Sequence, residues 1–188
     1  MEAHAAPRRL LLISLPIAVL AVATAAIYVA GTSITPDYSG TALFGKTATD
    51  TLPLKSGLAS AVLGLAALQL LLALWIYGRL PGIGAAARRI GSLHRGIGIV
   101  AILLTLPIAY HCMRAYGVQT LDSRIAIHSI AGCFFYGAFA AKVTIVRSKS
   151  LPGWTLPVAG GTLVVLVAVL WYTSALWYYN DFSVPLLK

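Results

Sequence analysis

The chain has 188 residues, 59% of them hydrophobic and only 10% charged, with a formal net charge of +9. A mean hydropathy of +0.86 is far from that of a water-soluble domain, and about 20 apolar residues suffice to cross a bilayer. The positive charge is then the expected signature of cytoplasmic loops in a membrane protein, and it argues against a nucleic-acid partner.

Residues 1–9 form a short polar leader, with His4 in solvent and Arg8 and Arg9 just before the first apolar run. Residues 10–30 are the first predicted span. A secretory signal peptide is the rival reading, but the apolar part is longer than an ordinary signal core, which favours a retained helix. Pro16 is expected to bend it, as membrane helices tolerate. Residues 31–55 hold Pro36, Gly40, Gly45 and Pro53 and read as a long loop of turn residues, a length that often carries a functional or docking role.

The second span covers about 56–80 and ends in Trp75 and Tyr77, aromatics that favour the membrane interface. Its one polar interior residue, Gln69, is expected to hydrogen-bond another helix. A basic, glycine-rich loop follows over 81–89, and the third span runs from about 93 to 114. A turn at 117–120 leads to the fourth span, about 122–145, which Asp122 is placed to cap. Residues 147–153 make a second basic loop, and the fifth span, about 154–179, ends in Trp171, Tyr172, Trp177, Tyr178 and Tyr179. The reading is a single all-α transmembrane domain over 1–188, a five-helix bundle. With the N-terminus in the cytoplasm, nine of the fourteen Lys and Arg residues fall in the inner loops and five outside. This predicts N-terminus in and C-terminus out in the cell's inner (plasma) membrane.

Three of the four histidines and both cysteines lie between Leu93 and Tyr136. His111 stands eight residues before Gln119 and His128 nine after it. At about 1.5 Å rise per residue, two antiparallel helices joined there carry both rings at one depth. Gly132, one turn beyond His128, opens space for a flat group, and Phe135 and Phe139 continue that face. Arg114 and Arg124 stand on the outward side of His111 and His128 respectively. Two imidazoles below two guanidiniums match haem b, an apolar macrocycle with two carboxylates. His111 and His128 are thus the expected iron ligands, with Gly132, Arg114 and Arg124 around the ring, and Met113 as a weaker axial alternative. Taken singly, each residue has a plainer explanation: helix–helix hydrogen bonding for a histidine, a snorkelling side chain for an arginine. Cys112 and Cys133 read as small buried hydrophobes rather than a disulfide, and no further ligand is placed to complete a zinc or copper site.

His94 lies 17 residues before His111, about 25 Å along the helix, and cannot share an iron with it. Beside Arg95 it reads as an interfacial histidine, with a second haem or a quinone contact as the sharper alternative.

The H-x-x-x-G pattern at His94–Gly98 and His128–Gly132 resembles small transmembrane cytochromes b of the ascorbate-reducible type and their bacterial quinol-oxidising relatives. The stretches L-H-R-G-I-G, Y-H-C-M-R-A-Y-G, I-H-S-I-A-G-C-F-F-Y-G-A-F and L-P-G-W-T-L-P-V-A-G-G also resemble an uncharacterised five-helix membrane family of actinobacteria. The cytochrome resemblance implies haem-linked electron transfer with a quinol or an external carrier, as a subunit among other respiratory membrane proteins. The di-haem pattern of those cytochromes wants four helical histidines, and three are present here, so one haem is implied. A haem-free accessory or assembly subunit is the alternative. No span carries an interior Asp or Glu, which disfavours an ion-coupled transporter.

Overall fold

A computed structural model describes residues 5–37, 43, 44, 46, 48–148 and 150–187. His4, Gly40, Gly45 and Lys149 lie outside the described residues. The architecture is all-helical. α1 is Ala5–Thr32, α2 Ala48–Ile76, α3 Arg88–Ala115 and α4 Ser123–Arg147. α5, Thr155–Trp171, continues through a π-helical turn, Tyr172–Leu176, into a last short helix, α6, Trp177–Tyr179. Five segments are long and apolar enough to cross a membrane. The chain is a multi-pass membrane protein.

Helix ends follow local chemistry. Asp122 caps α4, its carboxylate accepting the Ile125 N–H at 2.8 Å. This satisfies one of the donors that every helix start leaves open. α2 stops at Ile76 because Gly78 adopts φ +62. Gly78 N–H then donates to Trp75 O and Arg79 N–H to Leu74 O, the paired bonds of a Schellman close. The other end of α2 differs from the sequence expectation. Residues 48–55, read as loop from Pro53, are already helical. Pro53, the sixth residue of the helix, gives up its own bond to the Thr49 carbonyl, while Asp50 in the first turn suits the positive end of the dipole.

In space the order is α1, α4, α5, α2, α3, each packed along the next. α3 precedes α4 in sequence, across a short turn, but packs along α2. At one end the exit of α1 is tied to the α3–α4 turn, where Val118 N–H donates to Gly31 O at 3.0 Å and Asp37 N–H to Ala115 O at 2.7 Å. The α1–α4 crossing is the tightest. A Cβ on Gly137 would stand 2.1 Å from Thr24 Oγ1 and 2.8 Å from the Leu20 carbonyl, so only glycine lets these two backbones approach. The mid-bundle core is Val62 and Ala66 of α2, Phe135 of α4 and Val167 of α5.

Gln69 bridges α2 and α3 as expected, its Nε2 donating to the His94 carbonyl. Trp75 Nε1 donates to Gly84 O at 3.0 Å, tying the α2–α3 loop to an interface tryptophan. Trp171 Nε1 donates to Ser60 Oγ at 2.9 Å, joining α5 to α2.

Candidate functional site

Because α3 and α4 stand apart, a cavity opens between them above the mid-bundle core. Its volume is about 160 Å³, partly open to the side, which is smaller than the clefts of about 300–1,000 Å³ that hold cofactors. The lining is almost wholly apolar. α3 contributes Thr105, Ile108, Ala109, Cys112 and Met113; α4 contributes His128, Ser129, Gly132, Cys133, Phe135 and Tyr136. Tyr136 Oη donates to Thr105 Oγ1 at 3.0 Å and spans the gap at its floor.

His128 is the imidazole on this cavity, and its tautomer is fixed by a neighbour on α5's continuation. Thr173 is fully buried. Its Oγ1 lies 2.8 Å from the Val169 carbonyl and 2.9 Å from His128 Nδ1. A hydroxyl has one proton, and the carbonyl can only accept it. Thr173 therefore receives the Nδ1–H of His128, which leaves Nε2 with its lone pair. That is the form in which an imidazole binds a metal, and ligating histidines usually tie their other nitrogen to an oxygen in this way. π-turns inside helices are frequent at functional sites, and Tyr172–Leu176 is the turn that presents Thr173.

Arg124 secures the same turn. Its Nη1 donates to the Thr173 carbonyl at 3.0 Å, and its guanidinium lies 4.0 Å from the centre of the Trp177 ring, within cation–π range. The guanidinium expected to meet a propionate is thus engaged with protein groups. Arg114 is exposed.

His111 and His128 are at matching depth: α3 ends four residues after His111, and α4 begins five residues before His128. The structure does not bring them together on the cavity. α3 turns its Thr105–Cys112 face inward, and His111, one residue or about 100° from Cys112, points elsewhere. It is 4% exposed and meets Tyr116 edge-on, ring centroids 5.7 Å apart. Lys55 Nζ sits 4.9 Å from the centre of the same Tyr116 ring, so His111 sits near the α3–α4 turn, beside the start of α2. Gly132 does line the cavity; a Cβ there would make only ordinary contact with Leu170, at 3.9 Å.

The remaining candidates separate from this site. His94 is half-buried near the opposite end of α3, beside Arg95, which is exposed; its Nδ1 has no hydrogen-bond partner. Cys112 and Cys133 are free thiols, both on the cavity wall. Among the described residues no group of three or more His, Cys, Asp or Glu could hold a metal ion.

Haem b does not fit these residues as they stand: His128 is one imidazole on an apolar wall, His111 lies off the cavity, and a space of about 160 Å³ is smaller than the clefts that hold cofactors.

A multi-pass, five-helix membrane protein with an internal cavity at one histidine is the class that fold and site define. The chain matches the family described as "Family of unknown function (DUF6529)" over residues 11–186, and it belongs to that family. No curated protein and no solved structure matches it.

Proposed function

We propose that the chain is a membrane electron-transfer protein that holds one haem b between α3 and α4, with His128 Nε2 as its iron ligand, the two helices splaying to admit the ring. The observation that carries this reading is the His128–Thr173 bond, which leaves Nε2 as the unprotonated nitrogen of an imidazole on an apolar cavity wall. Haem iron in such a site would exchange single electrons. The chain's own groups do the rest. Thr173 holds the tautomer, Arg124 holds Thr173, Gly132 keeps the α4 wall low, and Phe135, Val62 and Val167 close the floor against water.

With the loop charges oriented by the positive-inside preference, the cavity lies nearer the outer face of the plasma membrane. Electrons would then pass between a quinol and an external carrier, within or beside a respiratory complex. Titrating haem into the purified apo-protein tests the reading. One haem per chain is expected for the natural sequence and for His111→Ala, and none for His128→Ala. Unchanged binding by His128→Ala would overturn it.

A second reading, a haem-free accessory subunit, has one observation in its favour. α1 packs along α4 and leaves with it an apolar groove lined by Ile17, Leu20, Ala21, Tyr28, Ile130 and Phe134. A helix of another subunit would fill it.

A further inference from the structure

We infer that the end of the bundle away from the cavity holds the phosphate of an anionic phospholipid, between His94 of α3 and Lys142 of α4. This stands apart from the haem reading, and no result on one decides the other. α2 and α4 finish at this end, and α3 and α5 begin there. His94 is six residues inside the start of α3 and Lys142 five inside the end of α4, so both lie about 8–9 Å in from the helix ends. The two stand close enough for the Lys142 charge to act on the His94 ring.

The Lys142 side chain is half-buried. An ammonium taken partly out of water calls for an anion, and the described residues supply none at this end. Of the five acidic residues, Asp37, Asp50, Asp122 and Asp181 all stand at the other end, and Glu2 lies outside the described residues. Arg88, Arg89, Arg95 and Arg147 add exposed positive charge here. His94 offers a second donor. Its Nδ1 is buried with no partner, and a proton there would be stranded, so a neutral ring keeps its proton on Nε2. Beside the ring the helix surface is bare. Gly91 lies one turn before His94 on the same face, and a Cβ there would meet nothing within 4 Å.

The surroundings favour a lipid over a free phosphate. Toward the bilayer centre α3 exposes Ile99, Val100 and Leu103, which an acyl chain would cover. Loop charge predicts this end at the cytoplasmic leaflet, where basic pockets between membrane helices take anionic head groups.

The test is melting of the purified full chain in detergent, alone and with dioleoylphosphatidylglycerol, dioleoylphosphatidylcholine or inorganic phosphate. Native mass spectrometry of the same samples counts retained lipid. Phosphatidylglycerol should raise the melting temperature and stay bound, and the other two should do neither. Each variant is compared with its own lipid-free melting temperature. Lys142→Gln and His94→Leu should each lose at least half of the rise, while Lys142→Arg and His94→Gln keep most of it. Arg89→Gln removes a charge at the same end but outside the pair, and should also keep it. If Lys142→Gln does not fold, His94→Leu decides. A loss in Arg89→Gln as large as in Lys142→Gln means attraction to the whole basic surface and overturns the site. So does the absence of any rise with phosphatidylglycerol, or a full rise in Lys142→Gln and His94→Leu. An equal rise with inorganic phosphate overturns the choice of a lipid.

Discussion

Thr173 and His128, 45 residues apart in sequence, are joined side chain to side chain by one hydrogen bond. Thr173 gives its own hydrogen to Val169 O at 2.8 Å and takes the Nδ1–H of His128 at 2.9 Å. Thr173→Val removes the acceptor while keeping the shape. A buried N–H left unpaired costs about 1–3 kcal/mol, so the variant should melt earlier in detergent. Thr173→Ser, which keeps the hydroxyl, should not. Nitrogen-15 NMR of labelled histidine should show the Nδ1–H tautomer at His128 in the natural chain and in Thr173→Ser, but a mixture of tautomers in Thr173→Val. A mixture in the natural chain would remove the basis of the site.

Arg124 acts through geometry as well as charge. Lysine cannot both donate to Thr173 O and lay a planar cation over Trp177. Arg124→Lys should therefore lose part of the natural melting temperature and Arg124→Ala more, with a change in Trp177 fluorescence in both. Equal stability of Arg124→Lys and the natural chain would mean that charge alone suffices.

The α1–α4 crossing gives an internal comparison. At Gly137 any side chain meets the Leu20 backbone, while nothing lies within 4 Å of a Cβ at Gly64. Gly137→Leu should cost at least the ~1–3 kcal/mol typical of overpacking and free α1 for proteolysis. Gly64→Leu should be neutral. Similar losses in both would mean that the crossing is looser than described.

Loop charge predicts an inward N-terminus and an outward C-terminus. A phosphatase fused after Lys188, active only outside the cytoplasm, should be active in intact cells, and one placed in the 81–87 loop should be silent. The reverse pattern would turn the site toward the cytoplasm.

Much of the fold was legible because its signals are local. Twenty-residue apolar runs, Asp122 before α4 and the lone Gln69 each act within a few residues of where they stand. The long loop was read too generously at its end, since Pro53 is tolerated within a turn or so of a helix start. The site was legible only by half. Depth followed from residue counts, which placed His111 and His128 level. The facing of each ring did not, because it depends on how α3 rotates against α2, a choice made by packing rather than by sequence spacing. Thr173 was missed for the same reason: its partner is fixed by tertiary structure. Its signal was present as the adjacent polar pair Thr173–Ser174 inside an aromatic, apolar segment.

The central claim is that His128 holds a haem. The most direct measurement is a reduced-minus-oxidised visible spectrum of membranes from haem-replete cells making the full chain, with His128→Ala beside it at equal expression. The account predicts b-type alpha and Soret bands that scale with the natural protein and are missing from His128→Ala. Membranes rich in the natural protein that show no bands above background, or bands that persist in His128→Ala, would contradict it.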